Sequence, residues 1–104
     1  MYEIVTTQSF WDDLEDIALD LDQYGRPGMA DILLSEIKQL SQGLQEFPRR
    51  YRKHIPNRRY LLREQYRVMT AKGYYVFYVI FEEEKAVELR RIIHHKMDVD
   101  HRLG

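Results

Sequence analysis

Charge along the chain is sharply uneven, and the unevenness defines the chemistry available. Residues 1–48 carry ten acidic side chains against Arg26 and Lys38. Residues 49–72 carry nine basic ones (Arg49, Arg50, Arg52, Lys53, Arg58, Arg59, Arg63, Arg67, Lys72) against Glu64 alone. The remaining residues are nearly balanced, six acids to five bases, so the formal net charge of −1 conceals two poles. A one-signed run of this length fits a polyanionic or acidic partner, or a solvated loop. A second group lies near the C-terminus, where His94, His95 and Lys96 are consecutive. Imidazoles titrate close to neutrality and can move protons, and an ammonium can neutralise an anion. The four histidines are otherwise scattered, with no cysteine and no carboxylate pattern that would give metal-ligand spacing. No metal site and no cofactor are expected.

The elements that must position these groups are legible from periodicity. Tyr2-Glu3-Ile4-Val5-Thr6 reads as a short first strand. Thr7 or Ser9 can cap a helix whose first turns hold Asp12, Asp13, Glu15 and Asp16, and Phe10, Leu14, Ile17 and Leu21 form its apolar stripe. Gly25-Arg26-Pro27-Gly28 interrupts the chain, and Pro27 suits the first turn of a second helix. Ala30, Leu33, Ile37, Leu40 and Leu44 recur at helical spacing until Gly43 and Pro48 close that helix, so the two form an antiparallel hairpin. Residues 49–65, interrupted by Pro56 and Asn57, read as loop with a strand or turn within it.

From Tyr66 the residues become aromatic and β-branched. Residues 66–70 and 74–81 form one hairpin across Ala71-Lys72-Gly73, and 86–93 form a second across Glu82-Glu83-Glu84-Lys85. The 74–81 strand is apolar on both faces and belongs at the sheet centre. One α+β domain spanning residues 1–104 follows, with a two-helix hairpin on one face of a small, mainly antiparallel sheet. The opposite face, lined by aromatics and ringed by Arg and His, is expected to be free for binding. With no cysteine, no secretory start and no long apolar run, the protein is expected to be cytoplasmic.

The run Tyr66-Arg67-Val68, Gly73 to Val79, Val87 to Ile92 and Asp98 resembles the C-terminal half of the RelE/ParE toxin superfamily. Thr6, Phe10, Asp13-Leu14, Ile17 and Phe47-Pro48 resemble its N-terminal half. The resemblance implies the toxin of a type II toxin–antitoxin system of the plasmid-stabilisation type, inhibiting growth and neutralised by a cognate antitoxin. It further implies one of two mechanisms: metal-independent, ribosome-dependent cleavage of messenger RNA by an mRNA interferase, an endoribonuclease, or inhibition of DNA gyrase. A non-toxic protein-binding module of the same fold is the third reading. Cleavage is the leading expectation, and it needs a proton acceptor, a proton donor and cations around one phosphate.

On this reading the catalytic candidates are His94, His95, Lys96 and Arg67. Strand alternation lets only one histidine enter the groove, and His94 is favoured because His95 is in phase with Val87, Leu89 and Ile93. Arg49, Arg50, Arg52, Arg58, Arg59, Tyr75 and Arg90 are the expected contacts to RNA or antitoxin. Tyr75 departs from the arginine usual in nuclease members, and Met97 replaces the second arginine of their terminal basic pair. Pairing of two copies through the helices is left open.

Overall fold

The computed structural model describes residues 1–56 and 62–103. Strand β1 (Glu3–Thr6) leads into helices α1 (Gln8–Gln23) and α2 (Met29–Leu44). Strands β2 (Arg67–Ala71), β3 (Tyr74–Phe81) and β4 (Ala86–His94) then form a meander, and a short helix α3 (Val99–Leu103) follows. The sheet runs in the order β1-β4-β3-β2, with β1 parallel to β4 and the other pairs antiparallel. The α+β architecture read from the sequence is the one observed. No helix among the described residues is long and apolar enough to cross a membrane.

Local chemistry sets each boundary. Thr7 caps α1: its Oγ1 accepts from the Phe10 amide at 3.1 Å and donates to the Arg90 carbonyl at 2.9 Å. The cap thereby ties the start of the helix to β4. Replacing Thr7 by Ala should cost about 1–2 kcal/mol in urea unfolding, with Thr7→Ser recovering most of the loss. α1 ends in a Schellman turn. Gly25, at φ 74°, donates to the Asp22 carbonyl and Arg26 donates to Leu21 at 2.8 Å. Pro27 precedes α2 rather than opening it, and Gly43 lies inside α2 rather than closing it.

The apolar stripes of both helices converge on one face of the sheet. Phe10, Leu33, Ile37 and Leu44 pack with Met69, Ala71, Val76, Tyr78, Val87, Leu89 and Ile92. Tyr78 has no exposed surface, and its hydroxyl donates to the Pro48 carbonyl at 2.9 Å, so the chain leaving α2 is fixed to the central strand.

The opposite face departs from expectation, because the chain's own segments occupy it. Tyr66, Val68, Phe77, Val79 and Ile93 form a second cluster beneath Leu62, Tyr75, Phe81 and, from α3, Val99 and Leu103. The cause is the composition of β3, whose alternate residues are apolar on both sides and must be buried twice. Lys53 forms an isolated bridge with Arg67, and Val68 donates to the Arg52 carbonyl, so the basic segment partly covers the β2 edge.

Candidate functional site

The histidines stand where β4 ends, and a bulge decides their direction. Register shifts between Phe77 and Tyr78, so that Phe77 pairs with Arg91 and Tyr78 with Leu89, leaving Arg90 as the extra residue. Alternation beyond the bulge is reversed. His94 pairs with Tyr74 and shares the helix-covered side with Ile92, whereas Ile93 faces the second cluster. The alternation argument that kept His95 in phase with Val87 and Leu89 therefore fails, because it assumed an unbroken strand. His94 meets Tyr74 edge-on with ring centroids 5.2 Å apart and lies 4.4 Å from the His95 ring.

Hydrogen bonding assigns the two rings opposite tautomers. The Lys96 amide donates to His94 Nδ1 at 3.2 Å, so neutral His94 carries its proton on Nε2. His95 Nδ1 lies 2.8 Å from the Gly73 carbonyl, which can only accept, so Nδ1 holds the proton and Nε2 keeps a lone pair. His94 is pushed below the ordinary histidine range by burial first, then by the positive charge of His95 and Lys96. At neutral pH His94 is therefore an uncharged donor, and the neutral tautomer of His95 is an acceptor at Nε2.

Arg67 is not brought to these residues. It pairs with Tyr78, four residues along β3 from the partner of His94, which is about 13 Å at roughly 3.3 Å per residue. Its guanidinium donates to the carbonyls of Tyr51 at 2.8 Å and Arg49 at 3.2 Å, a structural clamp on the loop after α2.

The expected binding arginines divide similarly. Arg49 pairs with Glu82, which also accepts from the Tyr2 hydroxyl, a bond that raises the Tyr2 pKa. Arg50 stacks over Tyr51, and Arg52 is exposed. Arg90 grips Glu64 through two bonds of 3.0 and 2.8 Å, pairs with Glu88, and lies over the Phe81 ring. Tyr75 sits on the second face, edge-on to Phe77. Arg58 and Arg59 lie outside the described residues.

Two arrangements escaped sequence reasoning. His54 Nε2 lies 2.5 Å from Asp100 Oδ1, both largely buried, with the imidazole edge-on to Phe77. Asp13 takes two bonds from Arg91, at 2.7 and 2.9 Å, and one from the Ile92 amide at 2.9 Å. Each joins residues 46 or more positions apart, and no spacing rule connects them. Two cavities lie against opposite faces of the sheet near the start of β3. One of about 490 Å³ is bordered by Arg52, Lys53, His54 and Tyr75. Another of about 500 Å³ is bordered by Tyr24, Arg26, Lys72, Tyr74 and His94.

Comparison with solved structures finds the same fold. A chain of the chromosomal ParDE toxin–antitoxin system from P. aeruginosa is similar with a TM-score of 0.65 at 17% identity, covering 90% of this chain and 96% of that one. A metal-bound toxin from Helicobacter pylori is similar with a TM-score of 0.51 at 22% identity, covering 91% and 96%. No curated protein matches the sequence. The family described as ParE toxin of type II toxin-antitoxin system, parDE, matches residues 4–99, which takes in every element from β1 to the start of α3. With that match spanning nearly the whole fold, the chain belongs to the ParE toxin family of type II toxin–antitoxin systems.

Proposed function

We propose that this protein inhibits growth by binding its target, DNA gyrase, rather than by cutting RNA, and that a cognate antitoxin holds it inactive. The supporting observation is the separation of Arg67 from His94, with the Arg67 guanidinium bonded to two backbone carbonyls of the loop after α2. Phosphodiester cleavage requires base, acid and cations to converge on one phosphate, and a cation about 13 Å along the strand cannot share it. Position 75 holds a tyrosine on the face opposite His94, so it supplies no cation to a centre at the histidines. Inhibition by binding needs none of these groups.

A second reading, ribosome-dependent mRNA cleavage, is favoured by one observation, the outward lone pair of His95 beside His94 and Lys96. In that case His95 is the base and Nε2–H of His94 the donor. Induced expression of the His94→Ala/His95→Ala variant separates the two. Under the binding reading growth arrest persists, and the purified variant still blocks gyrase supercoiling. Loss of toxicity in His95→Ala alone, with transcript cleavage by the unaltered protein, would overturn it.

A further inference from the structure

The cavity at the turn end of the helix hairpin draws basic side chains from three separate places in the fold. Arg26 follows α1, Lys72 stands in the β2–β3 turn and His94 ends β4, yet all three border one space of about 500 Å³. Neither Arg26 nor Lys72 has an ion-pair partner among the described residues. Elsewhere the basic side chains Arg49, Arg90 and Arg91 are matched to carboxylates, so these two are available to an external anion.

Their placement is fixed from the backbone. The Arg26 amide is held by the Leu21 carbonyl at 2.8 Å in the Schellman turn. Lys72 has φ 50°, a left-handed conformation in which Gly or Asn is favoured, so lysine there carries a backbone cost. Aromatic surface completes the cavity. Tyr24 is 75% exposed at its rim and Tyr74 lies within it, over a floor from Leu21 and Leu33. The volume falls in the range of small-ligand sites, roughly 300–1,000 Å³.

We propose that this cavity binds a phosphate-bearing aromatic ligand of mononucleotide size, with the phosphate between Arg26 and Lys72 and the planar ring against Tyr24. Two cations and the Nε2–H donor of His94 suit a tetrahedral oxyanion, and an exposed tyrosine offers a stacking surface to any base. No carboxylate borders the cavity. The source is a free nucleotide or the terminal nucleotide of a strand, which share this chemistry. The inference is independent of which macromolecule the toxin inhibits.

The test is titration of the purified full chain with adenosine 5′-monophosphate, adenosine, inorganic phosphate and a 5′-phosphorylated trinucleotide, followed by NMR shifts or calorimetry. Saturable binding is expected for the monophosphate, with adenosine far weaker. Arg26→Ala and Lys72→Gly should each weaken binding on the order of 10-fold, equivalent to about 1.4 kcal/mol. Neither variant should lower the melting temperature, since Arg26 is unpaired and glycine relaxes the turn. A trinucleotide binding more tightly than the monophosphate identifies a strand end as the source, and equal affinity identifies the free nucleotide. Absence of saturable binding by either overturns the proposal. So does binding that both variants leave unchanged.

Discussion

Replacing Asp13 by Ala should destabilise the protein by about 2–4 kcal/mol, read as a lower midpoint in urea unfolding and a melting temperature reduced by more than roughly 10 °C. Asp13 receives three hydrogen bonds, two from the Arg91 guanidinium and one from the Ile92 amide, and the ion pair is about three-quarters or more buried on both sides. Truncation leaves a largely buried cation without its counter-charge and orphans an amide in the sheet. The loss should exceed that of an exposed pair such as Arg49–Glu82, which is expected to matter little. Arg91 also donates to the Arg102 carbonyl at 2.8 Å, so amide exchange in α3 should quicken in the variant. The double variant Asp13→Ala/Arg91→Met should recover part of the loss, because it removes the stranded charge along with its partner. Equal destabilisation by the single and double variants would show that packing, not charge, governs the site.

That network explains how much of the protein could be read beforehand. Both helices were legible because Phe10, Leu14 and Ile17, then Leu33, Ile37 and Leu44, repeat at helical spacing and find one common surface. The central position of β3 was legible because it is apolar on both sides, and Lys72-Gly73 marked its turn. What covers the second face was not. α3 is five residues long, too short to display a period, and its docking rests on Val99, Leu103 and the Asp100–His54 pair, contacts that only the folded chain creates.

The candidate site was legible to the same limited degree. That His94 and His95 end a strand follows from sequence, but which way they face depends on a bulge at Arg90, where two consecutive arginines leave the register unmarked. Arg67 was identifiable as a singular cation at a strand start. Only tertiary structure reveals that it holds the carbonyls of Arg49 and Tyr51. Among the described residues of the basic run, Arg49 is paired, Arg50 lies over Tyr51, Arg67 holds two carbonyls, and Arg52, Lys53, Arg63 and Lys72 are exposed.

Tyr78→Phe should change how stability depends on alkaline pH, and the sign is set by burial. The Tyr78 phenol is raised from 10.0 to about 12, chiefly because burial disfavours the phenolate, while the nearby Arg67 guanidinium offsets part of the effect. The unfolded chain releases this proton near pH 10 and the folded chain retains it. Stability from the neutral phenol is thus fully present below about pH 10 and is lost as pH rises toward 12. Each tenfold difference in proton affinity between the folded and unfolded chain is worth roughly 1.4 kcal/mol, so this tyrosine accounts for about 2–3 kcal/mol of alkaline destabilisation. Phenylalanine cannot ionise, but it leaves the Pro48 carbonyl without its 2.9 Å donor, so the variant should be about 1 kcal/mol less stable at pH 7. As pH rises from 10 to 12 that deficit should shrink and then reverse. Tyr2 and Tyr74, whose pKa values are also raised, titrate alike in both proteins and cancel from the comparison. A deficit that stays constant to pH 12 would mean that the Tyr78 hydroxyl ionises in the folded protein as readily as in water, and that the loop at Pro48 opens to admit solvent.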